Sequence, residues 1–206
     1  MNVADIKRRV TNALGDDAKL IFEDPDLIDM INDAQVDICR KTGFLTNDTS
    51  ISLLKGTQGY PLPDDCIEVL RATYQNNKLY KTTWQEVDML DPGKDTQTTL
   101  GVPDHYYIIG NTIYFYPPPS AGSILSVHVL YTRTPTALAN DTDNPELPLA
   151  FHEDIVIRCV ARGHEQVEDF QASAAKASEY NTAISLTIEQ ARNANDESYP
   201  YVRDIE

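Results

Sequence analysis

The sequence predicts an α+β fold in which helices from both ends of the chain form a bundle and the middle forms an inserted antiparallel β domain. Two changes of period carry this: apolar residues recur at helical spacing up to about residue 48 and again after about 148, whereas between them they alternate or run continuously, broken by turn residues. The third observation is the stretch 101–119, GVPDHYYIIGNTIYFYPPP. Its runs 105–109 and 112–116 are rich in β-branched and aromatic residues, and Gly110-Asn111 between them tolerates the positive φ of a two-residue hairpin loop. Three prolines then end the ladder, because proline has no N–H to donate. The expected division is a helical domain of 1–48 and 148–194, an inserted β domain of 49–147, and an extended tail, 195–206.

Val3, Ile6, Val10 and Leu14 predict a first helix over 3–14, stopped by Gly15 and basic on its outer side through Lys7, Arg8 and Arg9. Asp24-Pro25 reads as an N-cap followed by proline at the first helical position. Leu27, Met30, Ile31, Ala34 and Ile38 then mark one apolar face up to Gly43, with Asp26, Asp29, Asp33 and Asp37 outward. Strands are expected near 49–54, 66–75, 78–82, 105–109, 112–116 and 124–132, with 58–63 as a rigid extended link and Asn76-Asn77 as a turn. Thr83 is placed to cap a short helix, 83–90, carrying Trp84, and 91–99 reads as a loop. The proline-rich, acidic segment 132–149 is an expected connector. Phe151, Ile155, Val156, Cys159 and Val160 then open a helix that continues through 166–193, with Gly163 as a bend or break.

Within the expected hairpin, Tyr106, Ile108, Tyr114 and Tyr116 are assigned to one face and Tyr107, Ile109, Ile113 and Phe115 to the other. Both faces then want cover: either both are core, or one is buried internally and the other is left as an interface. Candidate interface residues are Tyr107, Phe115 and Tyr116, joined by Tyr199, Tyr201, Val202 and Ile205 of the tail, whose apolar residues would fold onto a partner surface.

The chain has 206 residues, with 17 basic against 32 acidic, a formal charge of -15. That balance argues against a nucleic-acid-binding surface, because phosphates are repelled. Cys39, Cys66 and Cys159 have neither C-x-x-C spacing nor zinc-like histidine partners and are read as reduced thiols. No apolar run suits a signal peptide or a membrane span, so synthesis in a cytoplasm is expected. There is no G-x-x-x-x-G-K-[ST], no G-x-S-x-G and no H-E-x-x-H, and neither cofactor nor catalytic set is predicted. Two clusters remain: a calcium-like run at Asp141, Asp143 and Glu146, lacking the glycine such a loop needs, and His152-Glu153-Asp154, where first-turn carboxylates complement the helix dipole without any catalysis.

Several segments in series are similar to one family. They are Ile31-Asn32-Asp33-Ala34-Gln35 with Ile38, the run Tyr60-Pro61-Leu62-Pro63-Asp64-Asp65-Cys66-Ile67-Glu68-Val69-Leu70-Arg71, Gly101-Val102-Pro103-Asp104-His105-Tyr106-Tyr107, Ile113-Tyr114-Phe115-Tyr116 with its prolines, and Glu146-Leu147-Pro148 before Phe151-His152. In order and spacing they resemble a tailed-phage head-to-tail adaptor of the podovirus type, like the T7 gatekeeper and SU10-like groups. The resemblance implies a non-enzymatic virion protein. It would form a dodecameric ring beneath the portal, joining the capsid vertex to the tail nozzle, with DNA passing through an acidic channel that does not grip it. The alternatives are another tail ring component, such as a nozzle or head-completion protein, and a glycan-cleaving tail enzyme, although no acid pair is marked out for the latter.

Overall fold

The computed structural model describes residues 1–16, 21–90, 100–120 and 126–194. In chain order the elements are α1 (Val3–Leu14), α2 (Asp24–Thr42), β1 (Thr46–Ser52), β2 (Gly59–Pro61), β3 (Cys66–Tyr74), β4 (Asn77–Lys78), β5 (Tyr80–Lys81), α3 (Trp84–Leu90), β6 (His105–Ile109), β7 (Thr112–Tyr116), β8 (Ser126–Arg133), a 3-10 turn (Leu149–Phe151), α4 (His152–Gln166) and α5 (Phe170–Ala194). This is the expected α+β architecture. The chain divides into a helical unit, Met1–Leu45 with the chain from Thr134 onward, and a β unit, Thr46–Arg133.

In the helical unit α1 begins at Asn2, whose Oδ1 accepts the Asp5 N–H at 2.9 Å, and ends at Gly15 with φ 70°, a left-handed position that suits glycine. The acids before α2 act one residue earlier than the Asp24-Pro25 pair suggested. Glu23 is the N-cap, and a capping box with Asp26 closes the helix start. Val3, Ile6, Val10, Leu27, Ile31 and Ile38 from these two helices join Ile155, Cys159, Val160, Tyr180 and Ile184 among the buried residues of this unit. Gly163 does not separate α4 from α5. It lies inside α4, where a Cβ would come within 2.5 Å of Leu14 Cδ1, so its role is close approach of α1. The break falls after Gln166, where Glu168 takes φ 63°.

The connector after Thr134 sorts with the helices, not with the β unit as the expected boundary at 147/148 had it. Hydrogen bonds give the reason. Asp143 and Asp141 carbonyls accept the Val3 and Ala4 N–H groups at 2.9 and 3.1 Å, satisfying two of the donors that a helix start leaves without partners. Asn32 forms a two-way clamp on the same segment: its Oδ1 accepts the Leu138 N–H at 2.8 Å, and its Nδ2 donates to the Leu138 carbonyl at 3.0 Å. Lys7, expected on the outer side of α1, is 4% exposed and pairs with Asp24 at 3.2 Å and with Asp141. Burial disfavours its charge, but the two carboxylates outweigh that and hold its pKa above the ordinary lysine value.

The β unit is a pair of four-stranded sheets, ordered β1-β8-β3-β4 and β2-β7-β6-β5. All pairings are antiparallel except β5 with β6. Residues 59–61, read from sequence as a link, form an edge strand on β7. Proline is compatible with that position because an edge has one side free of ladder bonds. Val69, Ala72 and Tyr74 of β3, Val127, Val129 and Tyr131 of β8, and Tyr106, Ile113 and Phe115 of the hairpin make the core of this unit, with Tyr60 and Leu62. Thr83 caps α3 as expected: Glu86 N–H donates to Thr83 Oγ1 at 3.3 Å, and Glu86 Oε2 accepts the Thr83 N–H at 2.9 Å.

Candidate interaction surfaces

The clusters that looked chemical in the sequence are dispersed or consumed by the fold. His152 is buried, with Nε2–H donating to the Leu147 carbonyl at 2.9 Å, and burial pushes its pKa down. Glu153 faces outward and pairs with Arg9. Asp154 is 3% exposed beside the Thr187 hydroxyl; burial raises its pKa, and its Oδ2 has no hydrogen-bond partner among the described residues. Three consecutive side chains thus point to three different surroundings. In the calcium-like run, Asp143 Oδ2 accepts the Ala139 and Asn140 N–H groups at 3.0 and 2.8 Å, which lowers its pKa, and Asp141 is held by Lys7. These oxygens close a turn, and no group of side chains suited to a metal ion occurs among the described residues.

The thiols behave as structural side chains. Cys39 and Cys159 are buried and Cys66 is half-buried. Burial, with Asp65 and Glu68 adding to it, pushes Cys66 up to about 11, and burial pushes Cys159 up to about 12, so neither is a thiolate at neutral pH.

The hairpin has the expected strands but not the expected faces. Its register pairs His105 with Tyr116, Tyr106 with Phe115, Tyr107 with Tyr114, Ile108 with Ile113 and Ile109 with Thr112. A two-residue loop sets odd positions against even ones, so Tyr106 shares a face with Phe115 and Tyr107 with Tyr114; assigning 106 and 114 to one side crossed the two sets. Tyr106, Ile113 and Phe115 face the core, and Phe115, at 0% exposure, leaves the candidate interface set.

Tyr107 and Tyr116 lie on the opposite face, but Tyr107 is buried at 8% exposure and also leaves the candidate interface set, while Tyr116 is half-buried. There the Tyr107 and Tyr114 rings stack at 5.0 Å with 6° between planes. Tyr114 also lies across Gly59 on β2, where a Cβ would meet its Cε1 at 2.8 Å. Tyr80, 63% exposed and in register with His105, contacts the His105 ring at 5.9 Å and extends this face to β5. Tyr114 and Tyr80 were missed as interface candidates. Loop parity identifies the first, whereas the parallel β5–β6 pairing that places the second has no short-range sequence signal. Tyr199, Tyr201, Val202 and Ile205 lie outside the described residues.

What remains is an α+β chain whose distinctive features are surfaces: an aromatic sheet face and a strongly acidic helical unit. The chain matches the model of the SU10 adaptor protein family over residues 1–203 and belongs to that family. It is a structural adaptor protein of a tailed phage, and the family implies a place at the head–tail junction in association with portal and tail components. No curated protein matches it. None of the described helices is long and apolar enough to cross a membrane.

Proposed function

We propose that this chain forms a homo-oligomeric adaptor ring, dodecameric as the resemblance implies, that joins the portal to the tail nozzle and surrounds the path of the DNA without catalysing a reaction. The observation that carries this is the family match across residues 1–203. Charge supports the channel role: segments 1–45 and 134–206 hold 23 acidic against 11 basic residues, whereas 46–133 holds 9 against 6. A lumen lined by the helical unit would offer phosphates no cationic grip. The β unit, with Tyr80, Tyr114 and Tyr116, is the surface for the nozzle, and the tail with Tyr199, Tyr201, Val202 and Ile205 is the surface for the portal.

The test is to mix the purified chain with portal particles and weigh the product by native mass spectrometry. Added mass in one multiple of the chain mass supports the ring. Deleting 195–206 is expected to abolish that gain; a full gain without the tail removes the tail from the portal contact, and absence of binding by the intact chain overturns the adaptor reading.

A further inference from the structure

We infer that the ring is closed by a charge contact between copies: the outer face of the β1-β8-β3-β4 sheet of one copy receives the outward face of α2 of the next. The inference rests on the ring reading and names its lateral interface. Partners in a sheet register share a face, and Val69–Tyr131, Ala72–Val129 and Tyr74–Val127 are the inward pairs. The intervening residues therefore stand on the outer face. Two rows cross it, Ser50–His128–Thr73–Lys78 and Asp48–Leu130–Arg71.

Arg71, Lys78 and His128 are exposed on this face, and Arg71 and Lys78 form no ion pair among the described residues. Glu68, nearby on β3, is already engaged by Lys81 at 3.8 Å, which leaves Asp48 as the opposing charge on the two rows. In a chain of net charge -15, acidic partners for such a face are in excess. Neighbouring strands lie about 4.8 Å apart, so Arg71, His128 and Lys78 occupy a field about 10 Å across.

The complement is on α2. Asp26, Asp29 and Asp33 are exposed along one side of the helix, and Asp29 and Asp33 form no ion pair among the described residues. From Asp26 to Asp33 is about 10 Å along the axis, the same span as the field that holds Arg71 and Lys78. The two faces are built from different residues, so their pairing is heterologous, which is the type of contact that closes rings. The occupant is a second copy because the acids that match this field are its own, and like-charge contact elsewhere on so acidic a chain leaves this face as the favoured one.

The experiment uses two full-length variants, Arg71→Glu/Lys78→Glu and Asp29→Lys/Asp33→Lys, with ring formation on portal read by native mass spectrometry. In the first both faces are acidic, and in the second both are basic, so each alone is expected to lose the ring. Mixed in equal amounts they are expected to restore it, with copies alternating. The milder pair Arg71→Gln/Lys78→Gln is expected to reduce ring yield about tenfold, and thermal melts matching the wild type establish that the variants fold. Rings from either charge-reversed variant alone, or no rings from a mixture of folded variants, overturns the contact while the adaptor reading stands. A wild type that does not assemble on portal overturns both.

Discussion

The Tyr180 hydroxyl donates to Asp37 Oδ2 at 2.8 Å, joining α5 to α2 across 143 positions of sequence. Around that bond Lys41 lies 3.1 Å and Arg158 3.5 Å from the same carboxylate oxygen, and the Lys41 ammonium sits 4.4 Å from the Tyr180 ring centroid. Burial, followed by the Asp37 charge, pushes the Tyr180 phenol above the usual tyrosine range, so it remains a donor at any physiological pH. Tyr180→Phe keeps the packing and removes only the donor, while Asp37 retains both cations. The expected loss is about 1–2 kcal/mol by urea unfolding. Tyr180→Ala adds a cavity and is expected to cost about 3–5 kcal/mol. No measurable loss in Tyr180→Phe would show that the hydroxyl contributes nothing.

Gly163 and Leu14 offer a test of close helix approach. Alanine in a helix interior gains about 1 kcal/mol over glycine, yet at 163 the added Cβ meets the Leu14 side chain at 2.5 Å. In a Leu14→Ala background the propensity gain of Gly163→Ala is expected in full. With Leu14 present it is expected to shrink or reverse, because the Leu14 side chain or α1 itself must give way. The measurement is a double-mutant cycle by thermal or urea unfolding, and a coupling energy within error of zero would mean that Leu14 swings aside freely.

These two contacts mark what the sequence does and does not announce. Helix α1 and both hairpin strands were legible to the residue, because period, caps and the Gly110-Asn111 turn act over a few positions. The role of Gly163 was not, since its reason sits on α1. Lys7 looked outward for the same cause: Asp24 and Asp141, which make its burial tolerable, lie far along the chain. The aromatic surface was half legible. Its composition was plain, but which tyrosines share a face depends on the parity of the loop, and the row linking Arg71 to Asp48 requires the β3-β8-β1 order, which no local pattern encodes.

The neighbours His152 and Asp154 are expected to move stability in opposite directions with pH. Burial lowers the folded pKa of His152 below its ordinary 6.5, so its contribution is present above that value and is lost as pH falls below it. Burial raises the folded pKa of Asp154 above 3.8, so its contribution is present below that value and is lost as pH rises through the folded pKa. Asp154→Asn is therefore expected to raise the melting temperature at pH 7 and to lose that advantage near pH 3.5. His152→Gln is expected to flatten the decline between pH 7 and 5. Melting curves at pH 3.5, 5 and 7 check both, and an Asp154→Asn protein no more stable than wild type at pH 7 would show that the buried carboxylate is compensated.

The two sides of the hairpin separate folding from contact. Phe115 faces the core and touches Tyr60, the ring centroids 5.7 Å apart, whereas Tyr114 and Tyr80 stand on the opposite face. Phe115→Ala is expected to cost about 3–5 kcal/mol and to lower the yield of folded protein, because it empties a fully enclosed site. Tyr80→Ser is expected to leave the melting temperature unchanged, since most of that ring is in solvent. Tyr114→Ser is expected to lose about 1 kcal/mol with the Tyr107 stack and more with the area its ring buries over Gly59. If this face meets the nozzle, Tyr80→Ser and Tyr114→Ser rings on portal bind purified nozzle protein at least tenfold more weakly than wild-type rings. Unchanged binding by a folded Tyr80→Ser, Tyr114→Ser double variant would assign the nozzle contact to another surface, and the tyrosines would then be left with a role in the stability of the β unit alone.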